Sequence, residues 1–377
     1  MLLKPVYLDY AATTPLDPRA AECMQACLTL DGLFGNPASQ HAFGQAAREV
    51  VEGARAKVAA LLNAAPEEII WTSGATEANN LALKGAAYLY QRRGKHIVTM
   101  KTEHKAVLDP CQHLEKEGYQ VTYLKPTPKG LLDLDEFAAA LRDDTVLVSI
   151  MHVNNETGVI QDVDAIARIT SQRGILFHVD AAQSAGKISI DLSKTPIDLL
   201  SLSAHKVYGP KGVGALYLRK KPRVRVLPLI HGGGQEQGMR SGTLATHQIA
   251  GMGEAFHLAA QEMQRDTLAI KSLRDHFLSG LQYITNLRIN GDVNHTVPHI
   301  LSLRFEGMLA DAILAKLPDI AVSTASACQG KGTEGSYVLR AMELSEDQAK
   351  SSVRFSFGRF TSQEDIDTAL QAIRAVF

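Results

Sequence analysis

From about residue 68 the apolar residues fall into short unbroken runs, separated by longer stretches in which they recur at helical spacing. Unbroken runs read as strands buried on both faces, and the amphipathic stretches as helices. Strands are expected at 69–72, 96–100, 121–125, 145–153, 175–180, 197–205 and 213–218, with a helix over 75–92 after the first. This alternation predicts an α/β fold with a mostly parallel sheet covered by helices. After Thr243 the rhythm changes. One long helix is expected over about 245–281, then shorter strands at 300–304 and 352–356 and a final amphipathic helix over 362–376, opened by a capping signal of Ser362 and Asp365. A boundary inside the long helix gives a large domain of residues 15–260. Residues 1–14 and 261–377 form a smaller α+β domain, with the N-terminal arm packing against the C-terminal part.

Composition narrows the class without choosing a function. The chain has 377 residues, a hydrophobic content of 45% and a formal net charge of −1. That is an ordinary globular balance, and it gives no electrostatic reason to expect nucleic acid or an anionic membrane as partner. The first residues lack the basic and apolar regions of a secretory signal, and no run approaches the ~18 apolar residues of a membrane span. A cytoplasmic enzyme is expected. Four cysteines in a chain of this length make no disulfide framework. Cys23 and Cys27 lie on an apolar-periodic helix and Cys111 near the start of another, where a cysteine acts as a small hydrophobe. Cys328 differs, because it sits in a small, polar, glycine-rich stretch, 323–335.

The chemistry gathers at the ends of the apolar runs. The run that begins at Ile197 leads straight into Ser203, His205 and Lys206, and the preceding one ends at Asp180. Ligands of open α/β sheets bind outside the carboxyl ends of the strands, so these residues point to one site. A lysine and an aspartate there suit pyridoxal 5'-phosphate. The lysine forms the Schiff base, and the carboxylate keeps the pyridine nitrogen protonated. The step from strand to helix at Gly74, Ala75 and Thr76 leaves free backbone N–H groups at a positive dipole end. That is a phosphate site, which Ser203 and His205 would complete. His104, just past the strand ending at Met100, belongs to the same group by position. The Ser203-Ala-His-Lys206 and His231-Gly-Gly-Gly234 matches to serine-acylating enzymes lack their companion motifs, and Gly330 to Gly335 lacks the strand a dinucleotide fingerprint requires. No metal-site motif is present.

Taken together, the motifs resemble cysteine desulfurases of the NifS/IscS type, within the class V aminotransferases. The resemblance is carried by Tyr7-Leu-Asp-Tyr-Ala-Ala-Thr-Thr14, Gly35-Asn-Pro-Ala-Ser-Gln-His41, Thr72-Ser-Gly-Ala-Thr-Glu-Ala-Asn-Asn80 and Thr102-Glu-His104. His152-Val-Asn-Asn-Glu-Thr-Gly158, His178-Val-Asp-Ala-Ala-Gln183, Ser203-Ala-His-Lys206 and Gly232-Gly-Gly-Gln-Glu236 continue it, and Arg240-Ser-Gly-Thr243, Ser326-Ala-Cys328 and the segment Ser352 to Phe360 complete it. It implies a fold-type I pyridoxal phosphate-dependent transferase acting as a homodimer on L-cysteine. By the same resemblance Lys206 carries the cofactor, Asp180 pairs with its ring nitrogen, His104 stacks on the ring and moves protons, and Gln183 meets the phenolic oxygen. Ala75, Thr76, Ser203 and His205 hold the phosphate, and Thr243 reaches in from the other subunit. Asn155 and Arg354 receive the substrate carboxylate. Cys328 is the nucleophile that takes the sulfur as a persulfide and passes it to an acceptor protein.

Two departures bear on the acceptor. The family's scaffold-serving bacterial members extend past the point where this sequence stops, so weak binding to a conventional iron–sulfur scaffold is expected. The stretch after Cys328 is also richer in glycine than is usual in the family. A selenocysteine lyase or aminotransferase of the same fold, or a sulfur-relay or regulatory protein without turnover, are the alternatives. A functional set of Lys206, Asp180 and His104 speaks against the last.

Overall fold

The computed structural model describes residues 5–324 and 335–377. The chain opens with β1 (Val6–Tyr7), α1 (Pro18–Gln25) and α2 (Ala42–Leu61). It then alternates through β2 (Ile69–Thr72), α3 (Ala75–Tyr90), β3 (His96–Met100), α4 (Lys105–Lys116), β4 (Gln120–Leu124) and α5 (Leu134–Ala140). β5 (Thr145–Ser149), α6 (Val163–Gln172), β6 (Leu176–Asp180), β7 (Leu199–Ser203) and β8 (Gly214–Leu218) follow. After α7 (Thr246–Gly280) come β9 (Leu287–Ile289), β10 (Ile300–Phe305), α8 (Ala310–Ala315), β11 (Ile320–Ala321) and β12 (Ser323–Thr324). The last elements are α9 (Tyr337–Ala341), α10 (Glu346–Lys350), β13 (Ser352–Ser356) and α11 (Gln363–Arg374).

Strands β2 to β8 form a seven-stranded sheet in the order β2-β8-β7-β6-β5-β3-β4. Only β8 runs against its neighbours, so the sheet is mostly parallel. The unbroken apolar runs have a direct cause: successive residues feed two different cores. Ile69 and Trp71 of β2 face one core with Val58 of α2, Ile166 of α6 and Phe256 of α7, while Ile70 faces the other, with Leu81 and Ala82 of α3 and Leu114 of α4. Leu199 and Leu200 of β7 divide in the same way. Burial on both faces removes the polar alternation of a half-exposed strand.

A second sheet, β12-β13-β10-β9, packs its apolar face under α11 and the C-terminal half of α7, with Phe277, Leu303, Phe305, Phe355 and Ile366 at its centre. The 35-residue α7 serves both cores: Ile249, Met252 and Phe256 belong to the first, Ile270 and Phe277 to this one. At ~1.5 Å per residue such a helix is about 50 Å long, enough to span both. The N-terminal arm joins the second core, with β1 pairing in parallel with β11 and Leu8 buried beside Phe355 and Phe357. At α11, Ser362 caps the helix and Asp365 closes a capping box, as expected.

The differences from expectation are local. The strand expected over 145–153 ends at Ser149; beyond it Ile150 and His152 still donate to the β6 carbonyls of His178 and Asp180, while the Met151 N–H turns to the Glu103 carboxylate at 2.8 Å. Cys27 lies just past the end of α1, and Cys111 lies inside α4; both are buried, and burial raises both thiol pKa values.

Candidate active site

A cavity of about 520 Å³ opens at the carboxyl ends of the parallel strands. Every parallel strand but the edge strand β4 sends a side chain or loop into it. Ala75 and Thr76 come from the turn after β2, His104 from the loop after β3, Asn155 from that after β5, Asp180 from the tip of β6, and Ser203, His205 and Lys206 from the tip of β7. Gln183 and Arg354 complete this set. The turn after β2 approaches so closely that a Cβ on Gly214 of β8 would lie 2.7 Å from the Gly74 Cα; only glycine fits there.

Asp180 is held on both oxygens. Oδ1 accepts from the Ala182 N–H at 2.9 Å, and Oδ2 from the Asn79 amide at 2.7 Å, on the first turns of α3. His104 caps α4, its Nδ1 accepting from the Ala106 N–H at 3.0 Å, which leaves the proton of the neutral ring on Nε2. Burial lowers its pKa and the Lys206 charge adds to this, against the opposing pull of Asp180. His205 is pushed to about 4 by burial and by the charges of Lys206, Lys211 and Lys187, and its Nδ1 meets the Thr13 hydroxyl at 3.1 Å. Lys206 Nζ donates to the carbonyls of Ala11 and Ala12, so the N-terminal arm forms a wall of the site. Gln183 is oriented from both ends, donating through Nε2 to Ala11 O at 2.8 Å and accepting from Lys187 Nζ at 3.3 Å.

Arg354 reaches the cavity from β13 of the second sheet. Its Nη2 donates to Asp9 at 2.9 Å and its Nη1 to the Asn155 carbonyl at 2.9 Å, while its buried Nε has no partner among the described residues. The buried Asn155 Oδ1 lacks one as well. The loop that presents Asn155 is tightly built: Asn154 Oδ1 accepts from the N–H groups of Glu156 and Thr157, its amide donates to Thr102 O at 3.0 Å, and Gly158 closes the turn at a φ of 76°. Together with the Glu103–Met151 bond, this braces the loops after β3 and β5 against each other. Two buried carboxyls support these loops. Glu103 is raised well above the usual range by burial, and Glu156 is raised to about 7 by burial despite the Ser336 hydroxyl and Arg354 nearby.

Of the residues singled out from the sequence, Thr243 is exposed and is not among those lining the cavity of its own chain. Cys328 lies outside the described residues. Asp9, Asn79, Glu103 and Glu156 lie within the motifs but were assigned no role from the sequence. For Asn79 a signal existed, since it is polar among the apolar Ala78, Leu81 and Ala82 on the inward face of α3, three positions after Thr76. Among the described residues no group of three or more His, Cys, Asp or Glu is placed to hold a metal ion, and no helix is long and apolar enough to cross a membrane.

The arrangement joins a carboxylate at a strand tip, an amine at the next strand tip, a helix N-terminus and an arginine in one cavity. Fold and site together define a class, and comparison bears it out. The aminotransferase class-V family pattern matches residues 6–369. Cysteine desulfurase IscS of Vibrio atlanticus strain LGP32 is 58% identical over 371 residues, covering 98% of this chain and 92% of that protein. A solved NifS-like protein superposes with a TM-score of 0.92 at 37% identity over 99% of both chains. A structure described as SspA in complex with cysteine does so at 0.84 and 36% identity, over 94% of this chain and 99% of that one. The chain belongs to the class-V aminotransferase family, among the cysteine desulfurases of the NifS/IscS type.

Proposed function

We propose that the protein binds pyridoxal 5'-phosphate in this cavity and converts L-cysteine to L-alanine, leaving the sulfur as a persulfide on Cys328. The observation that carries the reading is the meeting of Lys206 and Asp180, at the ends of neighbouring strands, with Asn155 and Arg354 across the cavity. The residues fit the cofactor: the N-terminus of α3 with Ser203 and His205 takes a phosphate, Asp180 a protonated ring nitrogen, and Lys206 a carbonyl carbon. When bound, the cofactor supplies an electron sink that stabilises negative charge on the substrate α-carbon.

The chain's own groups do the rest. Arg354 and Asn155, each with a buried polar atom lacking a partner among the described residues, orient the substrate carboxylate. Lys206 moves the α-proton from its place beside the Ala11 and Ala12 carbonyls. His104, neutral because it is buried, serves as a proton carrier at neutral pH. The Cys328 thiolate attacks the substrate sulfur. A sulfur–sulfur bond forms, the carbon–sulfur bond breaks with its electron pair left on carbon, and a proton completes L-alanine. β12 ends four residues before Cys328 and pairs with β13 at Arg354, which supports this role for Cys328.

We further propose a homodimer in the cytoplasm, in which Thr243 serves the partner's cavity. The exposed position of Thr243 and the exposed apolar residues Leu28, Leu30, Phe34, Phe43 and Ile230 support it. The division into 15–260 against 1–14 with 261–377 is supported by the two cores that share α7. An acceptor protein would draw the sulfur from Cys328. The test is to incubate the purified protein with L-cysteine and measure alanine and sulfide with and without a thiol reductant. Alanine should form and should vanish in Lys206→Ala, whereas Cys328→Ser should keep the bound cofactor and form no persulfide. Native-rate alanine and sulfide formation by Cys328→Ser would refute the reading.

A further inference from the structure

Ser336 and Tyr337 stand eight and nine positions after Cys328, and each is fastened to a different loop of the cavity. Ser336 is fully buried. Its Oγ donates to the Glu156 carboxyl and accepts from the Leu339 N–H at 3.1 Å, so one hydroxyl both caps α9 and anchors it. Glu156 directly follows Asn155, whose carbonyl holds Arg354. The Tyr337 phenol donates to the carbonyl of Glu103 at 2.7 Å, one residue before His104, and Lys105 Nζ lies 5.2 Å from the ring centroid. A five-residue helix is too short to fix its own position. Behind these bonds it rests on a small apolar cluster of Val338, Leu339, Met342 and Ala349. The two side-chain bonds thus register the root of the Cys328 segment against the loop that takes the substrate carboxylate and against the loop that presents His104.

We infer that Ser336, Tyr337 and Glu156 are positioning residues for sulfur transfer, tying the chain that follows Cys328 to the two loops that hold substrate. The inference rests on the desulfurase reading above. A buried carboxyl is seldom the most stable choice for such a place, and a well-packed apolar side chain often does as well or better. What Glu156 provides and an apolar residue would not is a directed acceptor joining positions 180 residues apart.

The experiment compares Ser336→Ala, Tyr337→Phe, Glu156→Leu and Glu156→Gln in the cofactor-loaded enzyme. Single-turnover persulfide formation on Cys328 should slow about tenfold in the first three, while L-cysteine affinity, read from the cofactor absorption, stays within twofold. Glu156→Gln keeps an acceptor for Ser336 and should lose far less than Glu156→Leu. Tyr337→Phe, a conservative change, guards against a folding defect in Ser336→Ala. In parallel, the alkylation rate of Cys328 by iodoacetamide, followed by peptide mass spectrometry with Cys111 as buried control, should change severalfold in Tyr337→Phe and Ser336→Ala. That readout needs no turnover. Altered alkylation in a protein whose native form makes no alanine would sink the desulfurase reading alone. Unchanged alkylation and persulfide rates, or affinity falling in step with rate, would overturn the positioning role.

Discussion

Replacing Asn79 tests how the site tunes Asp180. The Asn79 amide donates to Asp180 Oδ2 at 2.7 Å with both residues buried, and the only other bond to that carboxylate among the described residues comes from the Ala182 N–H. A hydrogen bond to a charged group contributes about 1.5–3 kcal/mol. Asn79→Ala therefore leaves Asp180 a less firmly held carboxylate. At about 1.4 kcal/mol per factor of ten, kcat/KM for L-cysteine should fall roughly tenfold to a hundredfold. Asn79→Asp should do more harm, since it removes the donor and sets a second carboxyl against the first. The assay is steady-state alanine formation, alongside a pH titration of the cofactor absorption and the thermal midpoint. A kcat/KM within twofold of native in Asn79→Ala, with an equal loss of midpoint in both variants, would show Asn79 to be packing alone and refute the reasoning.

Arg354→Lys should raise KM for L-cysteine by about one to two orders of magnitude with a smaller effect on kcat, because an ammonium cannot hold Asp9, the Asn155 carbonyl and a carboxylate as the guanidinium fork does; an unchanged KM would remove Arg354 from the substrate site. Stability should fall as pH drops from 6.5 toward 4. Burial holds His152 and His178 at about 4 and His299 well below its ordinary value, and lowers His96, His104 and His205, so the unfolded chain binds more protons in this window. Glu103, Glu156 and Asp198, raised by burial, act in the opposite sense but are fewer, and a thermal midpoint that is flat or rises between pH 6.5 and 4.5 would contradict this balance. Ser362→Ala removes the N-cap of α11 and should lower stability by about 1 kcal/mol in chemical denaturation with turnover unchanged.

The sequence by itself determined the strands of the seven-stranded sheet, because burial on both faces leaves an unbroken apolar run that reads without knowing its neighbours. It also located Asp180, His104 and Lys206, since the chemistry of a parallel sheet collects where such runs end. Asn155, Gln183, Thr243 and Arg354 were reached only through resemblance, as nothing local distinguishes an arginine within β13 that lines a cavity from one that meets solvent. Tertiary structure alone decided which distant pieces meet. Arg354 finds Asp9 345 positions away, Asn79 finds Asp180 101 away, and Tyr337 finds Glu103 234 away. The same holds for the reversed β8 and for the early end of β5, where a carboxylate from another loop takes the Met151 N–H. The physical reason is one of range. Apolar periodicity records only whether a position is buried, whereas a hydrogen bond requires a particular partner at a particular angle, and the partner is supplied by whichever loop the packed sheet brings within about 3 Å.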